Sequence, residues 1–350
     1  MNLTDYGYSE RVEDIYRRRG VPAGTIRARV LEDYGLGYVL ASDAGELDAA
    51  LSGGLMDGLS GERPVAGDWV LARPAPEGGH AQVLEVMPRL SELRRADTMV
   101  DWKTTVVAAN FDYLIFMVSM NANYSLNRIE RLMASARKSG GVPVLVLSKL
   151  DLCDDRDGMI MQAESVAPDA DVVAISSLTG QGLEALDRYF RKGVTTAVVG
   201  SSGVGKSTLL NRLMGFEAER TQGIREVDSK GRHTTTHRAL HLLPGGGLFL
   251  DTPGVRSFGL TSEDHEASSS FPDIEELAQA CRFDDCSHTK EPGCAVLRAV
   301  EEGDLEKRRY LSYLKMVKEV EHVRAGSEAA AFMERKRRAK AISKIQRQYH

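Results

Sequence analysis

The chain has 350 residues, 42% of them hydrophobic, with 45 basic and 50 acidic side chains and a formal net charge of −5. That length allows two or three domains with ordinary cores, and the mildly acidic balance excludes uniform coating of nucleic acid, leaving only local basic patches for such a role. No apolar run approaches a bilayer span, the first twenty residues lack the apolar stretch of a secretory signal, and four cysteines are too few for a disulfide framework. The expectation is a cytoplasmic protein with no membrane attachment.

Residues 1–24 form a polar, mixed-charge N-terminal extension. From Thr25 to about residue 97, short apolar segments (TIRARVL, GYVLA, AGDWVLA, AQVLEVM) are broken by glycine and charge. Alternation at Ile26, Ala28 and Val30 predicts half-buried strands, and the length fits a five-stranded oligonucleotide-binding (OB) barrel. The pattern alone fits other small barrels as well. Over residues 98–261 the texture changes: nearly continuous apolar strands (DYLIFMVS, VPVLVLS, DVVAIS, TTAVVG) alternate with the helix-like stretches NRIERLMASARKSG and GLEALDRYFRK. This predicts a parallel sheet covered on both faces, an α/β domain. TSEDHEASSS then reads as a polar linker, and residues 262–350 as a mostly helical region built around a Cys/His cluster.

Within the α/β region, Gly200-Ser201-Ser202-Gly203-Val204-Gly205-Lys206-Ser207 satisfies G-x-x-x-x-G-K-[ST], with a strand before it and the helical KSTLLNRLM after it. Glycines let the backbone curl so that N–H groups face phosphate oxygens, Lys206 reaches the β- and γ-phosphates, Ser207 ligates Mg²⁺, and Thr208 completes the nucleotide-binding set. In LFLDTPG, about 45 residues after Lys206, Asp251 ends an apolar strand where it can hold Mg²⁺ through water, and Gly254 can offer its N–H to the γ-phosphate. Between them, GRHTTTHR resembles a mobile switch. One of Thr234 and Thr235 is expected to be the second hydroxyl on Mg²⁺, with Thr235 assigned, against the alternative of a threonine-rich strand edge.

Upstream of the phosphate loop, Ser148-Lys149-Leu150-Asp151 resembles the guanine-reading N-K-x-D motif of GTPases. The Asp151 carboxylate can accept hydrogen bonds from N1–H and the exocyclic amine of guanine, and the Lys149 stem packs on the base. Serine in place of asparagine removes one orienting amide. Ser176-Ser177-Leu178, one βα unit later, resembles the S-A-x loop whose backbone N–H meets guanine O6. The order is thus base motif, base loop, phosphate loop, switch and DxPG, a circular permutation of the common GTPase order, tolerated when the parent termini lie close together.

Further on, Cys281, Cys286, His288 and Cys294 read as C-x₄-C-x-H-x₅-C, a full tetrahedral Cys₃His set suited to one structural zinc. Helical spacing at Leu305, Tyr310, Tyr313, Leu314 and Val317 follows. The tail MERKRRAKAISKIQRQ carries seven basic residues, Arg335 to Arg347, against Glu334. A solvated basic helix is the ordinary fate of such a run; beside a barrel and a zinc module it is read as a grip on RNA phosphates.

Together with AGDWV (66–70), PRLSELRR (88–95), AANFDYLIFMVS (108–119) and SLNRIERLM (125–133), these motifs make the chain resemble, over nearly its full length, the RsgA/YjeQ family of circularly permuted GTPases. The resemblance implies an N-terminal OB barrel, a permuted GTPase domain and a C-terminal zinc domain that face the 30S ribosomal subunit and its 16S rRNA during late maturation. Binding such an asymmetric particle needs only a monomer. Ser148 is the main departure. The place after DxPG, where many GTPases carry a water-positioning glutamine, holds Val255. Hydrolysis of GTP to GDP is therefore expected to be slow in isolation and faster on the subunit, with His233 on the switch as the candidate group for the attacking water, against the alternative of a surface histidine without a role. Two readings stand: a GTP hydrolase whose turnover drives release, and an rRNA-binding assembly module in which GTP is an allosteric ligand. A P-loop ATPase is disfavoured by Asp151.

Overall fold

The computed structural model describes residues 2–35, 37–56, 62–75, 79–96, 104–121, 124–215, 238–252, 271–318 and 321. The chain divides into two units, one of residues 1–93, 106–129 and 136–257, the other of residues 94–105, 130–135 and 258–350.

In the first unit, a 3₁₀ turn (Leu3–Tyr6) and helix α1 (Glu10–Arg19) precede strands β1 (Ile26–Asp33), β2 (Tyr38–Ser42), β3 (Gly45–Leu51), β4 (Trp69–Arg73) and β5 (Ala81–Val86), with a single helical turn α2 (Gly53–Met56) after β3. The pairing β1–β2–β3–β5–β4 returns from β4 to β1, so five strands close into a barrel and leave no free edge. Ala28, Val30, Leu40, Val70 and Val83 fill it. The alternation read from β1 is real, yet its outward residues are buried too. Arg29 is 1% exposed, because the other face of β1 is covered by further parts of the same unit. The N-terminal residues belong to this packing: Tyr16 of α1 is fully buried and its hydroxyl donates to the Val70 carbonyl at 2.8 Å.

Strands β6 (Glu92–Ala96) and β7 (Thr104–Ala109) lead to the α/β part: β8 (Tyr113–Ser119), α3 (Leu126–Arg137), β9 (Val142–Ser148), α4 (Arg156–Val166), β10 (Asp171–Ala174), β11 (Thr195–Gly200), α5 (Lys206–Leu213), β12 (Arg238–Leu242) and β13 (Leu248–Asp251). The order β10-β9-β8-β11-β13 is parallel throughout. Its apolar strands bury Ile115, Met117, Val144, Val146, Val198 and Phe249 in one cluster, as expected for strands covered on both faces. β12 pairs antiparallel with β13 and, through Ala239 and Arg238, with Glu32 and Asp33 of β1. One continuous eleven-stranded sheet therefore joins the barrel to the parallel sheet. The GLEALDRYFRK stretch differs from the expected α-helix: Leu183–Tyr189 is a 3₁₀ helix. Its apolar residues Leu183, Leu186 and Tyr189 recur every three positions, the spacing that aligns side chains on three residues per turn.

The second unit has helices Pro272–Ala278 and Ala295–Glu302, with residues 307–318 also helical. Phe271, Ile274, Val296, Leu305, Tyr310 and Tyr313 pack together with Ala134. Glu130, nearly fully buried, accepts from Arg309 at 3.1 Å and from the Ser312 hydroxyl at 2.8 Å, and Arg309 also grips Asp273 with both forks. Among the described residues no helix is long and apolar enough to cross a membrane.

Candidate functional site: a phosphate loop flanked by two tied base loops

β11 is buried along its whole length and ends at Gly200, where the chain turns into the phosphate loop. A Cβ at Gly200 would lie 2.8 Å from a Val204 methyl and 2.9 Å from the Met117 carbonyl oxygen, so the turn admits no side chain there. Gly205 caps α5 at φ +111°, a conformation other residues rarely adopt. The motif's glycines are thus demanded by backbone geometry. Lys206 opens α5 and its Nζ donates back across the loop to the Gly200 carbonyl at 2.8 Å. Burial pulls its pKa down while the Asp251 carboxylate opposes this. Parallel register sets Asp251 of β13 beside Val198 of β11, two residues before Gly200, and the next residue, Thr252, donates its hydroxyl to the Val198 carbonyl at 3.0 Å. Ser207 is exposed in the first turn of α5, beside Thr208, while Ser201, Ser202 and Gly203 form the open part of the loop and Val204 is buried beneath it.

The two segments assigned to base reading lie at the ends of neighbouring strands, Ser148 at the end of β9 and Ser176 just past β10. Ser148 is buried, and its hydroxyl donates to the Val204 carbonyl of the phosphate loop at 2.7 Å. The Ser148 side chain thus reaches the phosphate loop directly with its hydroxyl. Lys149 takes a left-handed φ of +62°, which starts the tight 3₁₀ turn Leu150–Leu152, and the Leu150 N–H bonds the Ile175 carbonyl at 3.0 Å. Asp151 accepts from the Ser176 hydroxyl at 2.5 Å, and Ser176 Oγ in turn accepts the Thr179 N–H at 3.1 Å. Arg212, in the last turn of α5, donates from Nε to the Ser177 carbonyl at 3.3 Å and from Nη2 to the Leu178 carbonyl at 2.6 Å. Arg212 was not legible as a site residue, since on sequence it is one more basic side chain on an amphipathic helix.

In the second unit, Cys281, Cys286, His288 and Cys294 bring one ligand atom each within 4.8 Å of one another. A tetrahedral zinc with ordinary bond lengths needs about 3.8 Å between sulfurs and about 3.6 Å between sulfur and nitrogen. The Cys281–Cys294 sulfurs are 3.8 Å apart, and His288 Nδ1 lies 3.6 and 3.5 Å from those two sulfurs. The cluster therefore has the dimensions to hold a metal ion, with Nδ1 as the ring ligand. Burial lowers the His288 pKa, against the pull of Glu291, and so favours the neutral ring a metal requires. The residue sits at φ +57°, and the Tyr310 hydroxyl fixes it by donating to its carbonyl at 2.8 Å. His233, Thr234, Thr235, Gly254 and Val255 lie outside the described residues, as does the basic run from Arg335 to Arg347.

A phosphate loop at the end of a buried parallel strand, a carboxylate on the adjacent strand, and two candidate base loops that precede the phosphate loop in sequence are the arrangement of a circularly permuted P-loop GTPase. The RsgA GTPase family profile matches residues 86–261. The chain is 39% identical over 339 residues to the small ribosomal subunit biogenesis GTPase RsgA 2 of Listeria monocytogenes serotype 4b (strain F2365), covering 96% of this chain and 95% of that protein. It is likewise 39% identical over 347 residues to the RsgA of Leptospira interrogans serovar copenhageni (98% and 95%). The fold is similar to YjeQ from Thermotoga maritima (TM-score 0.60, 28% identity, 85% of this chain and 98% of that one) and to YloQ, a circularly permuted GTPase (TM-score 0.58, 26% identity, 86% and 96%). The chain belongs to the RsgA GTPase family, and its reaction is the hydrolysis of GTP.

Proposed function

We propose that this GTPase acts on the small ribosomal subunit, the particle named in its relatives' descriptions. It binds the immature 30S subunit through 16S rRNA, hydrolyses GTP faster there than alone, and leaves when hydrolysis is complete. The observation that carries this reading is the single sheet running from the barrel through β1 and β12 to β13 and β11, because it joins an RNA-binding type of barrel to the strand that ends in the phosphate loop. Residues 1–24, 25–97, 98–261 and 262–350 serve as extension, OB barrel, GTPase domain and zinc domain, and the protein works as a cytoplasmic monomer.

In this reading Gly200 to Thr208 cradle the phosphates with backbone N–H groups, and Lys206 exchanges the Gly200 carbonyl for β- and γ-phosphate oxygens. Ser148 to Asp151 and Ser176 to Leu178 hold the guanine. Ser207, Asp251 and Thr235 would hold Mg²⁺, which when bound neutralises charge between the β- and γ-phosphates. Gly254 donates to the γ-phosphate. Val255 can neither orient nor polarise water, so turnover alone is on the order of 10⁻⁴ to 10⁻² s⁻¹, as for GTPases with an incomplete catalytic set, and His233 supplies the missing group on the subunit. Cys281, Cys286, His288 and Cys294 hold one structural zinc, and the basic tail meets rRNA phosphates.

GTP and ATP turnover measured with and without small subunits tests this. At least tenfold stimulation, for GTP alone, is expected. Tight subunit binding with no stimulation would favour the alternative in which nucleotide is only an allosteric ligand, and preference for ATP would sink the base assignment. Ser148→Ala, which leaves the Val204 carbonyl without its donor, is expected to weaken GDP binding about five- to tenfold in a fluorescence titration. Unchanged affinity would show that this bridge does not order the loops.

A further inference from the structure

The bonds around the nucleotide site close into a ring. Ser148 ties the first base loop to the phosphate loop through Val204; Ser176 ties Asp151 to the second base loop; and Arg212 ties that second loop to α5, which grows directly out of the phosphate loop. Three of these links are oxygen-to-oxygen or carbonyl contacts of 2.5 to 2.7 Å. The Arg212 link differs from the others in what it orients. Its two donors fix the carbonyls of consecutive residues, Ser177 and Leu178, so the planes of two adjacent peptides are set by one planar guanidinium. In a trans peptide the N–H points opposite to the C=O. Drawing the Ser177 carbonyl toward α5 therefore turns the Leu178 N–H away from α5. The Thr179 N–H, partner of the Leu178 carbonyl, is already spent on Ser176 Oγ at 3.1 Å.

We propose that Arg212 is a specificity-determining positioning residue, which aims the 177–178 backbone at the atom in position 6 of the guanine ring. The proposal rests on the assignment of residues 148–151 and 176–178 as the base site. It divides the recognition in two: Asp151 reads the N1–H and 2-amino donors, while the peptide set by Arg212 reads the acceptor at position 6. A methionine at 212 keeps a straight apolar stem of similar reach but has no donors, and a lysine offers a single point charge that cannot serve both carbonyls in a fixed plane.

Two diphosphates separate these halves. Inosine diphosphate keeps O6 and N1–H but lacks the 2-amino group, and 6-thioguanosine diphosphate keeps both donors but presents sulfur, a weaker acceptor, at position 6. Dissociation constants for GDP, inosine diphosphate and 6-thioguanosine diphosphate would be measured with the full chain, its Arg212→Met and Arg212→Lys variants, and Asp151→Asn. In Arg212→Met the preference for GDP over the 6-thio compound should fall at least threefold toward unity. The GDP-to-inosine ratio should stay within twofold of wild type, and Arg212→Lys should lie between. A uniform loss across all three nucleotides means that Arg212 only stabilises the helix and overturns the proposal, as does a 6-thio ratio that is already near one in the wild type or unchanged in Arg212→Met. If Asp151→Asn keeps the full preference for GDP over inosine diphosphate, the base-site assignment itself fails, a result distinct from either.

Discussion

Cys294→Ser is expected to strip the metal from the C-terminal unit and to unfold it while guanine-nucleotide binding persists. Cys294 is 5% exposed, its sulfur stands at tetrahedral spacing from Cys281 Sγ and His288 Nδ1, and it also caps the helix Ala295–Glu302 by accepting the Leu297 N–H at 3.4 Å. Serine is itself a good N-cap, so the substitution keeps the cap and removes a thiolate ligand. That separates the metal's contribution from the helix's. The loss is large because the cluster sits inside the apolar core of this unit: Phe271, Ile274, Val296 and Leu305 pack around it, and the Tyr310 hydroxyl donates to the His288 carbonyl. In small modules of this kind metal binding supplies on the order of 10 kcal/mol of folding free energy. Elemental analysis should give one zinc per wild-type chain and none in the variant, and limited proteolysis should cut the variant after residue 270. A variant that still carries one metal, or resists the protease as the wild type does, would show that the four residues are not the ligand set. Nucleotide binding is housed in the other unit and serves as the internal control.

Much of the site is legible in the sequence because its chemistry dictates residue types at fixed spacing. A loop that wraps phosphate must put glycine at positions such as Gly200, where even a Cβ collides, and a cluster of three cysteines and a histidine within 14 residues is a spacing that metal-holding modules use. The bonds that hold those pieces together follow another logic. Arg212 and Ser148 act on backbone carbonyls, and every residue has a carbonyl, so no partner type marks the pairing in sequence. The same holds for the joint between barrel and parallel sheet. β12 is five residues long, RALHL, and its two pairs with β1 join positions more than 200 residues apart, so local periodicity carries no trace of it. AGDWV and PRLSELRR, which entered only as marks of resemblance, have a physical role: Arg89 grips the fully buried Asp68 with two bonds of 2.9 Å, and burial raises the Asp68 pKa although that guanidinium pulls it down.

The second large effect is expected at Arg29, where substitution by methionine should cost about 3–5 kcal/mol of stability, measured by urea denaturation. The guanidinium is fully buried over the Trp69 ring and donates to four groups from separate parts of the chain: the Tyr6 carbonyl in the N-terminal turn, the Gly67 carbonyl before β4, the Asn110 carbonyl between β7 and β8, and the Thr195 hydroxyl at the start of β11. Burial pushes its pKa down to about 10, against the pull of Asp112 and Asp68, which still leaves it charged at neutral pH. Two effects oppose each other on substitution. Methionine relieves the desolvation of a cation, which for a well-replaced buried ion pair can repay the whole loss. It also leaves the Tyr6 and Asn110 carbonyls and the Thr195 hydroxyl without this donor in a dry interior, at about 1–3 kcal/mol each, while the Gly67 carbonyl keeps the Asn110 side-chain amide at 3.2 Å, and it removes a positive charge facing the buried Asp68. The second effect wins because backbone carbonyls cannot be mutated away along with their donor. Arg29→Lys should recover less than half of the loss, since one ammonium cannot span all four groups. A cost below 1 kcal/mol for methionine would mean that desolvation cancels the bonds. Because β11 runs from Thr195 directly to Gly200, the same variant should also bind GDP more weakly at temperatures where it remains folded, and unchanged affinity would show that the barrel's grip on β11 ends at its first residue.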